Sequence, residues 1–246
     1  MIMKIAIISD IHANMQALET VLADIKSENC DKILCLGDYV MAGPQPKETL
    51  KYVMEISKDW EMIKGNTDVM VSNVDLYADK VKSVFPIMGE ALVNDAKELN
   101  DEMITFLKNL PEQKELNIEG VKLLLVHGSP RKIDENIFPE LPIEDVEEMI
   151  KGVDADVIFC GHTHIPCGYQ TNTKKTVVNV GSVGRPFTAQ PQACYVVATL
   201  KSGEIELKHK FLDYNNKLAS QILAKRNFDG AEKLANILIN PEVRHM

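Results

Sequence analysis

The chain has 246 residues, 45% of them hydrophobic and 26% charged, which are the values of a folded globular protein with room for one large α/β or β-sandwich domain. With 36 acidic against 27 basic residues the net charge is −9; this argues against long nucleic acid as a partner but leaves small phosphorylated substrates open, because a bound metal reverses the local sign. Five cysteines, odd in number and without a CxxC pair, argue against a disulfide framework and a zinc ribbon and point to a reducing cytoplasm.

The opening MIMKIAIISD is cut off at Asp10, too short for a signal peptide or a membrane span. No later run is long and apolar enough to cross a membrane, so no membrane partner is expected. KIAIIS (4–9) reads as a buried strand. NMQALETVLADIKSEN then carries Leu18, Val21, Leu22 and Ile25 at helical spacing, with Asn14 placed as N-cap. KILCLG (32–37) is a second strand, PKETLKYVMEIS a helix opened by Pro46, and WEMIKG (60–65) a third strand. Residues 89–110 read as helical and stop at Pro111. KLLLVH (122–127) and DVIFC (156–160) are two more buried strands, separated by the helical IEDVEEMIKG. From TVVNVGSVG (176–184) onward, ACYVVATL and EIELKHKFL follow without an intervening helix, which predicts an antiparallel sheet.

Helical spacing returns in an extension of about 215–246, open to a role as a lid, a contact in a homo-oligomer, or packing. The expected architecture is one domain over 1–246, four layers deep, with two mixed sheets flanked by helices.

Chemistry gathers at the ends of the apolar runs. The first ends in Asp10-Ile11-His12, the second in Gly37-Asp38, the third in Gly65-Asn66, and the later two in His127-Gly128 and Gly161-His162-Thr163-His164. Ligands bind at the carboxyl ends of strands in open α/β sheets, so residues scattered in sequence can converge there. Four of the six histidines stand at these exits. Each pair alone has a plain structural reading: Asp10 can cap, GD and GN are ordinary turn residues, and a histidine before glycine is usually satisfied by a neighbour. GHTH carries the strongest signal, because two imidazoles so close cannot both be buried without partners. Together, Asp, Asn and His describe a site for Mn, Fe, Zn or Ni.

The series DIH, GD, GN, HG and GHTH resembles the calcineurin-like metallophosphoesterase superfamily, whose members carry a two-metal site on a β-sandwich flanked by helices. The likeness runs from residue 4 to about 200. SDIHAN, CLGDYVMAGPQP, VHGSPR, GHTHIP and NVGSVGRP are more particularly similar to the small prokaryotic phosphodiesterase branch that includes asymmetric diadenosine tetraphosphate hydrolases. The resemblance implies that Asp10, His12 and His164 hold one ion, Asn66, His127 and His162 the other, and that Asp38 bridges them. Two cations this close need a shared anionic ligand, which agrees.

A metal-activated hydroxide among Asp38, Asn66 and His127 is then the expected nucleophile, with Mn first among the metals and a small nucleotide-like phosphodiester or phosphoanhydride as substrate. The chain has no GxSxG elbow and no P-loop to suggest another chemistry.

The departure from the family lies in GNTD. Many members place a histidine, taken as general acid, where this chain has Thr67, and a threonine hydroxyl is a poor acid at neutral pH. Leaving groups that are already weak bases, aryl phosphates or anhydrides, are therefore expected over alkyl monoesters. Asp68 is open to two roles, a substitute acid or an orienting hydrogen-bond partner.

Asn14, Arg131 and Arg185 are candidate phosphate contacts, against the plain readings of a helix cap and an ordinary surface arginine. The glycines of Asn179–Arg185 suit an anion-binding backbone or a tight turn, Cys167 a further ligand or a plain thiol, and Tyr39 with MAGPQP a base-binding edge. Two other functions compete. A phosphomonoesterase of the protein-phosphatase kind is weakened by Thr67, and a non-catalytic scaffold like a retromer subunit is weakened by the complete set of ligating side chains.

Overall fold

The computed structural model describes residues 2–243. The chain forms β1 (Ile2–Ile8), α1 (Met15–Ser27), β2 (Lys32–Cys35), α2 (Pro46–Ile56) and β3 (Glu61–Met62), followed by the helices α3 (Asn66–Ser72), α4 (Val74–Val84), α5 (Pro86–Glu98) and α6 (Asp101–Asn109). It continues through β4 (Gln113–Ile118), β5 (Val121–Val126), α7 (Ile143–Met149), β6 (Val157–Cys160), β7 (Cys167–Gln170), β8 (Thr176–Asn179), β9 (Ala193–Lys201), β10 (Glu204–Leu212), α8 (Asn216–Ala224) and α9 (Ala231–Ile237).

The strands make two five-stranded sheets, ordered β10-β9-β1-β2-β3 and β4-β5-β6-β8-β7. Both are mixed. In the first, β1 and β2 run parallel and β1 and β9 antiparallel; in the second, β5, β6 and β8 are parallel and the edge strands β4 and β7 antiparallel to their neighbours.

The two-residue alternation of strand side chains decides the layers. From β1, Ile5 and Ile7 point between the sheets, where they meet Leu34, Leu123, Leu125, Phe159 and Val196. Ala6 and Ile8 point the other way, against Leu18 and Val21 of α1, Leu50 and Val53 of α2 and Leu92 of α5. On the far face of the second sheet, Leu124, Val126 and Ile158 pack with Val146 and Ile150 around α7. The result is the expected four-layer arrangement. Full burial of a side chain such as Phe159 stabilises by about 1.5–3 kcal/mol relative to exposure.

Several boundaries differ from the sequence expectations, each for a visible reason. The edge strands β4 (QKELNI) and β7 (CGYQ) escaped notice because edge strands bury little and carry few apolar residues. The helical stretch 89–110 is two helices that break at Leu99, where the Asn100 side chain accepts from Met103 N at 2.9 Å and starts α6. GNTD opens α3 where a turn was expected. The third strand shrinks to Glu61–Met62, although Ile63 N still reaches Cys35 O.

The expectation of an antiparallel sheet from residue 176 onward holds only for β9 and β10. β8 belongs to the other sheet, parallel to β6, so the segment after Asn179 crosses from one sheet to the other. In the extension, Ala219 and Leu223 of α8 and Leu234 and Ala235 of α9 join the core beneath the first sheet. Its last residues, 244–246, lie outside the described part. No described helix is long and apolar enough to cross a membrane.

Candidate metal centre

The site sits where the chain leaves β1, β2, β5 and β6. Its backbone is unusual: Asp10, His12, Asp38, His162 and His164 have φ of 56, 44, 56, 66 and 63°. Left-handed geometry costs a non-glycine residue about 1–3 kcal/mol and persists only where the surroundings dictate it. Here the loops are laced together. Asp10 N donates to Gly37 O (3.0 Å) and His12 N to Asp38 O (2.9 Å), while Gly161 N donates to His127 O (2.8 Å) and Gly184 N to Asp10 O (2.9 Å). Two glycines of the motifs make room: a Cβ at Gly161 would lie 2.5 Å from Asp10 Oδ2, and one at Gly65 would overlap Asp38 Oδ1.

The imidazoles are fixed from behind. His12 Nδ1 donates to Met41 O at 2.9 Å, His127 Nδ1 to Leu36 O at 2.8 Å, and His164 Nδ1 to Arg185 O at 2.6 Å. A carbonyl only accepts, so Nδ1 carries a proton and Nε2 faces inward in all three, presenting a lone pair wherever the ring is neutral. There the lone pairs meet other acceptors. His12 Nε2 lies 3.0 Å from His164 Nε2, His127 Nε2 lies 3.0 Å from Asn66 Oδ1 and 3.3 Å from Asp38 Oδ2, and Asp10 Oδ1 lies 3.1 Å from His164 Nε2. Asp10 Oδ1 is buried without a hydrogen-bond donor. Acceptors packed so closely repel unless a cation lies among them, so the donor set fits divalent metal.

Among the described residues, two groups each bring their ligand atoms within 4.8 Å of one another: Asp10 with His12 and His164, and Asp10 with Asp38 and His127. Asn66 Oδ1 extends the second group. The His162 ring stands edge-on to His127, centroids 5.3 Å apart, and its backbone N donates to Asp10 Oδ2 at 3.0 Å. Of the seven residues read from the sequence as ligands, six thus bring a donor atom into or beside these groups, and His162 adjoins them by its ring's contact with His127.

The electrostatics of the two aspartates, His162 and His164 agree with that donor set, whereas His127 would have to release a proton to join it. Burial alone would raise both carboxyls, but the facing histidines outweigh it, holding Asp10 well below the usual range and Asp38 at about 2. Burial pushes His162 and His164 down to about 4, which keeps them neutral donors at pH 7. His127 goes the other way: burial disfavours its charge, yet Asp38 and Asp10 raise it to about 10.

Asp68 proves to be an organiser. Its carboxylate accepts from Asp38 N (2.7 Å), Gly65 N (2.8 Å) and Tyr39 N (2.9 Å), clamping the GD loop to the GN loop. Burial, then the Asp38 charge, push its pKa up to about 7 against the pull of these donors. Thr67 is committed as well, N to Asp38 Oδ1 at 2.9 Å and Oγ1 to Val40 O at 3.0 Å.

The candidate substrate contacts fare unevenly. Asn14 caps α1 through Oδ1 (3.2 Å from Ala17 N), and its amide donates to Gly184 O (2.8 Å) and Tyr214 Oη (3.3 Å), which leaves no hydrogen for a phosphate. Arg131 lies at the edge of a cavity of about 60 Å³ that reaches His127, but it is paired with Glu135, Nη2–Oε1 2.5 Å. Arg185 is buried beside the site, its guanidinium 5.6 Å over the Phe187 ring, which itself stacks on His164 at 4.9 Å.

Tyr39 is not a base-binding edge; it is fully buried and donates to Ile63 O at 2.9 Å. Cys167 stands apart from both ligand groups, its thiol pushed up to about 11 by burial. Two contributions carried no sequence signal: that of Phe187, and the side-chain role of Asn179, marked in the sequence only as the start of the NVGSVGRP turn, whose amide holds Gly161 O (2.7 Å) and Thr163 Oγ1 (2.9 Å) and so sets the GHTH turn. Both act through neighbours that only the fold supplies.

Comparison with known proteins agrees with this geometry. Residues 3–203 match the calcineurin-like phosphoesterase superfamily domain. The protein MJ0912 of Methanocaldococcus jannaschii is 32% identical over 239 residues, covering 90% of this chain and 92% of that protein. A metallophosphoesterase from Sphaerobacter thermophilus superposes with a TM-score of 0.76 at 25% identity, covering 96% of this chain and 98% of the other. The Pyrococcus horikoshii protein PH1004 superposes with a TM-score of 0.86 at 21% identity, covering 98% and 100%, and supports the fold.

Proposed function

We propose a function from one premise: this chain belongs to the calcineurin-like phosphoesterase superfamily, whose members are metal-using hydrolases of phosphoesters. The reading is a dinuclear phosphodiesterase or phosphoanhydride hydrolase acting on a small nucleotide-like substrate. Asp10, His12 and His164 would hold one divalent ion, Asn66, His127 and His162 the other, and Asp38 would serve both. Mn is the first candidate carried from the family resemblance, and the mixed oxygen and imidazole donors accommodate Fe, Zn or Ni as well. When bound, such ions supply an activated water and stabilise charge on the phosphoryl oxygens.

The observation that carries this reading is the inward convergence of acceptor atoms, with two imidazole nitrogens 3.0 Å apart and a buried carboxylate oxygen without a donor. The protein's own residues do the positioning. Backbone carbonyls aim three histidines, and Asp68 ties the Asp38 loop to the Asn66 loop. No residue at position 67 offers a proton to a leaving group, because the Thr67 hydroxyl donates to Val40 O. Substrate preference should follow the leaving group.

The test is a rate comparison on Mn-loaded protein with bis-p-nitrophenyl phosphate, p-nitrophenyl phosphate and glycerol 2-phosphate, with His164→Ala as control. The diester is expected to turn over fastest. The alkyl monoester should be slower by about 10²–10⁴-fold, the range a missing general acid spans, and the control inactive. Preference for the alkyl monoester would overturn the substrate assignment, and full activity in the control would overturn the site.

A further inference from the structure

The carbonyl that aims His12 belongs to a loop that does not hold itself. Met41 and Ala42 take φ of 84 and 62°, strained for residues with a Cβ. The loop presses on the site so closely that a side chain at Gly43 would overlap the His12 carbonyl. Its anchors come from far away in sequence. Ala42 N donates to Asp95 Oδ2 of α5 at 3.1 Å, and Gly43 O accepts from Arg226 Nη1 at 2.7 Å.

Arg226 lies between α8 and α9, and its side chain is only 7% exposed. Its Nη2 meets Asp95 Oδ1 at 2.7 Å, Asn94 Oδ1 at 2.7 Å and Glu98 Oε1 at 2.8 Å, and its guanidinium lies 5.2 Å over the Phe228 ring. One planar fork therefore grips the loop directly through Gly43 and indirectly through Asp95, a task that suits arginine and not lysine.

We infer that Arg226 is a positioning residue for the metal centre, which it serves by locking the Met41–Gly43 loop so that the Met41 carbonyl fixes the tautomer and direction of His12. This gives the C-terminal extension a role beyond packing. The inference rests on the two-metal reading for its consequence, but its first link, from Arg226 to the His12 ring, concerns the metal-free protein alone. Loss of a group bonded directly to a metal ligand, as the Met41 carbonyl is to His12, typically changes affinity by about 10–100-fold, and Arg226, one step further out, should stay within that limit.

The experiment uses the full chain, metal-free, with ¹⁵N-labelled histidine, and reads the Nδ1–H signals of His12, His127 and His164, each assigned by its own alanine variant. In Arg226→Ala the His12 signal should broaden or vanish while the other two stay, because Leu36 and Arg185, their carbonyl partners, lie off the loop. Arg226→Lys should restore the signal only in part, and it serves as the readout should the alanine variant fail to fold.

Manganese titration should then show one of two ions weakened, by at most about 10–100-fold, and the other unchanged. An intact His12 signal with unchanged affinities overturns the inference, as does equal loss of all three signals in a folded variant. Should the wild type take up no metal while the His12 signal still responds to Arg226, the two-metal reading falls and the positioning link stands.

Discussion

Asp38→Asn is expected to cost at least about a thousandfold in turnover of an activated phosphodiester and to leave at most one tightly bound ion per chain. Asp10 is common to both ligand groups, and Asp38 belongs to the second and reaches toward the first: Oδ2 is 3.3 Å from His127 Nε2 and 3.6 Å from His12 Nε2, while Oδ1 accepts from Thr67 N at 2.9 Å. An asparagine keeps the volume and can still accept from Thr67 N, so folding should be spared. What disappears is the negative charge that would let two cations lie side by side. A thousandfold corresponds to about 4 kcal/mol, which is the size of the stabilisation a metal lends to a phosphoryl transition state. The check is kcat with metal content measured on the same sample; two retained ions with activity within tenfold of wild type would remove Asp38 from the shared position.

Asp68→Ala should be the most destabilising single change near the site, by about 3–5 kcal/mol in denaturant unfolding, and should abolish activity. Three buried backbone N–H groups lose their acceptor together, and each orphaned donor costs about 1–3 kcal/mol. Asp68→Asn separates this organising role from that of an acid. The amide can still accept at one atom, so it should cost roughly 1–3 kcal/mol, with rates on aryl and alkyl substrates falling in parallel. An acid role gives the opposite signature: normal stability, with a loss confined to alkyl leaving groups, which need a proton, while p-nitrophenyl esters are spared.

The site was more legible in the sequence than the fold around it. DIH, GD, GN, HG and GHTH could be read because chemistry at strand exits concentrates rare residue types, and the structure brings those residues together. The buried strands β1, β5, β6 and β9 were equally plain as runs of apolar residues. The edge strands β4 and β7 were not, since only one face or none of an edge strand needs apolar residues. The helices α3 and α4 were missed because a glycine and an asparagine open α3, and α4 buries no residue completely, so neither shows a clean stripe.

Roles carried by geometry were the least legible. Asn14 had equal standing as cap and phosphate contact until its amide was seen to be fully engaged. Asp68 is open in the sequence to a role as acid or as orienting partner, and only the fold shows its oxygens holding three amides. Arg226 carried no signal at all, because its partners Gly43 and Asp95 lie more than a hundred residues away in sequence and meet it only in the folded chain.

The central claim is that one site takes two ions and shares Asp38 between them. The most direct measurement is a crystal structure of Mn-loaded wild-type protein with anomalous maps recorded at the manganese edge. Two peaks should appear, one among Asp10, His12 and His164 and one among Asn66, His127 and His162, with Asp38 touching both. A single peak, or two peaks with Asp38 bound to neither, would contradict it.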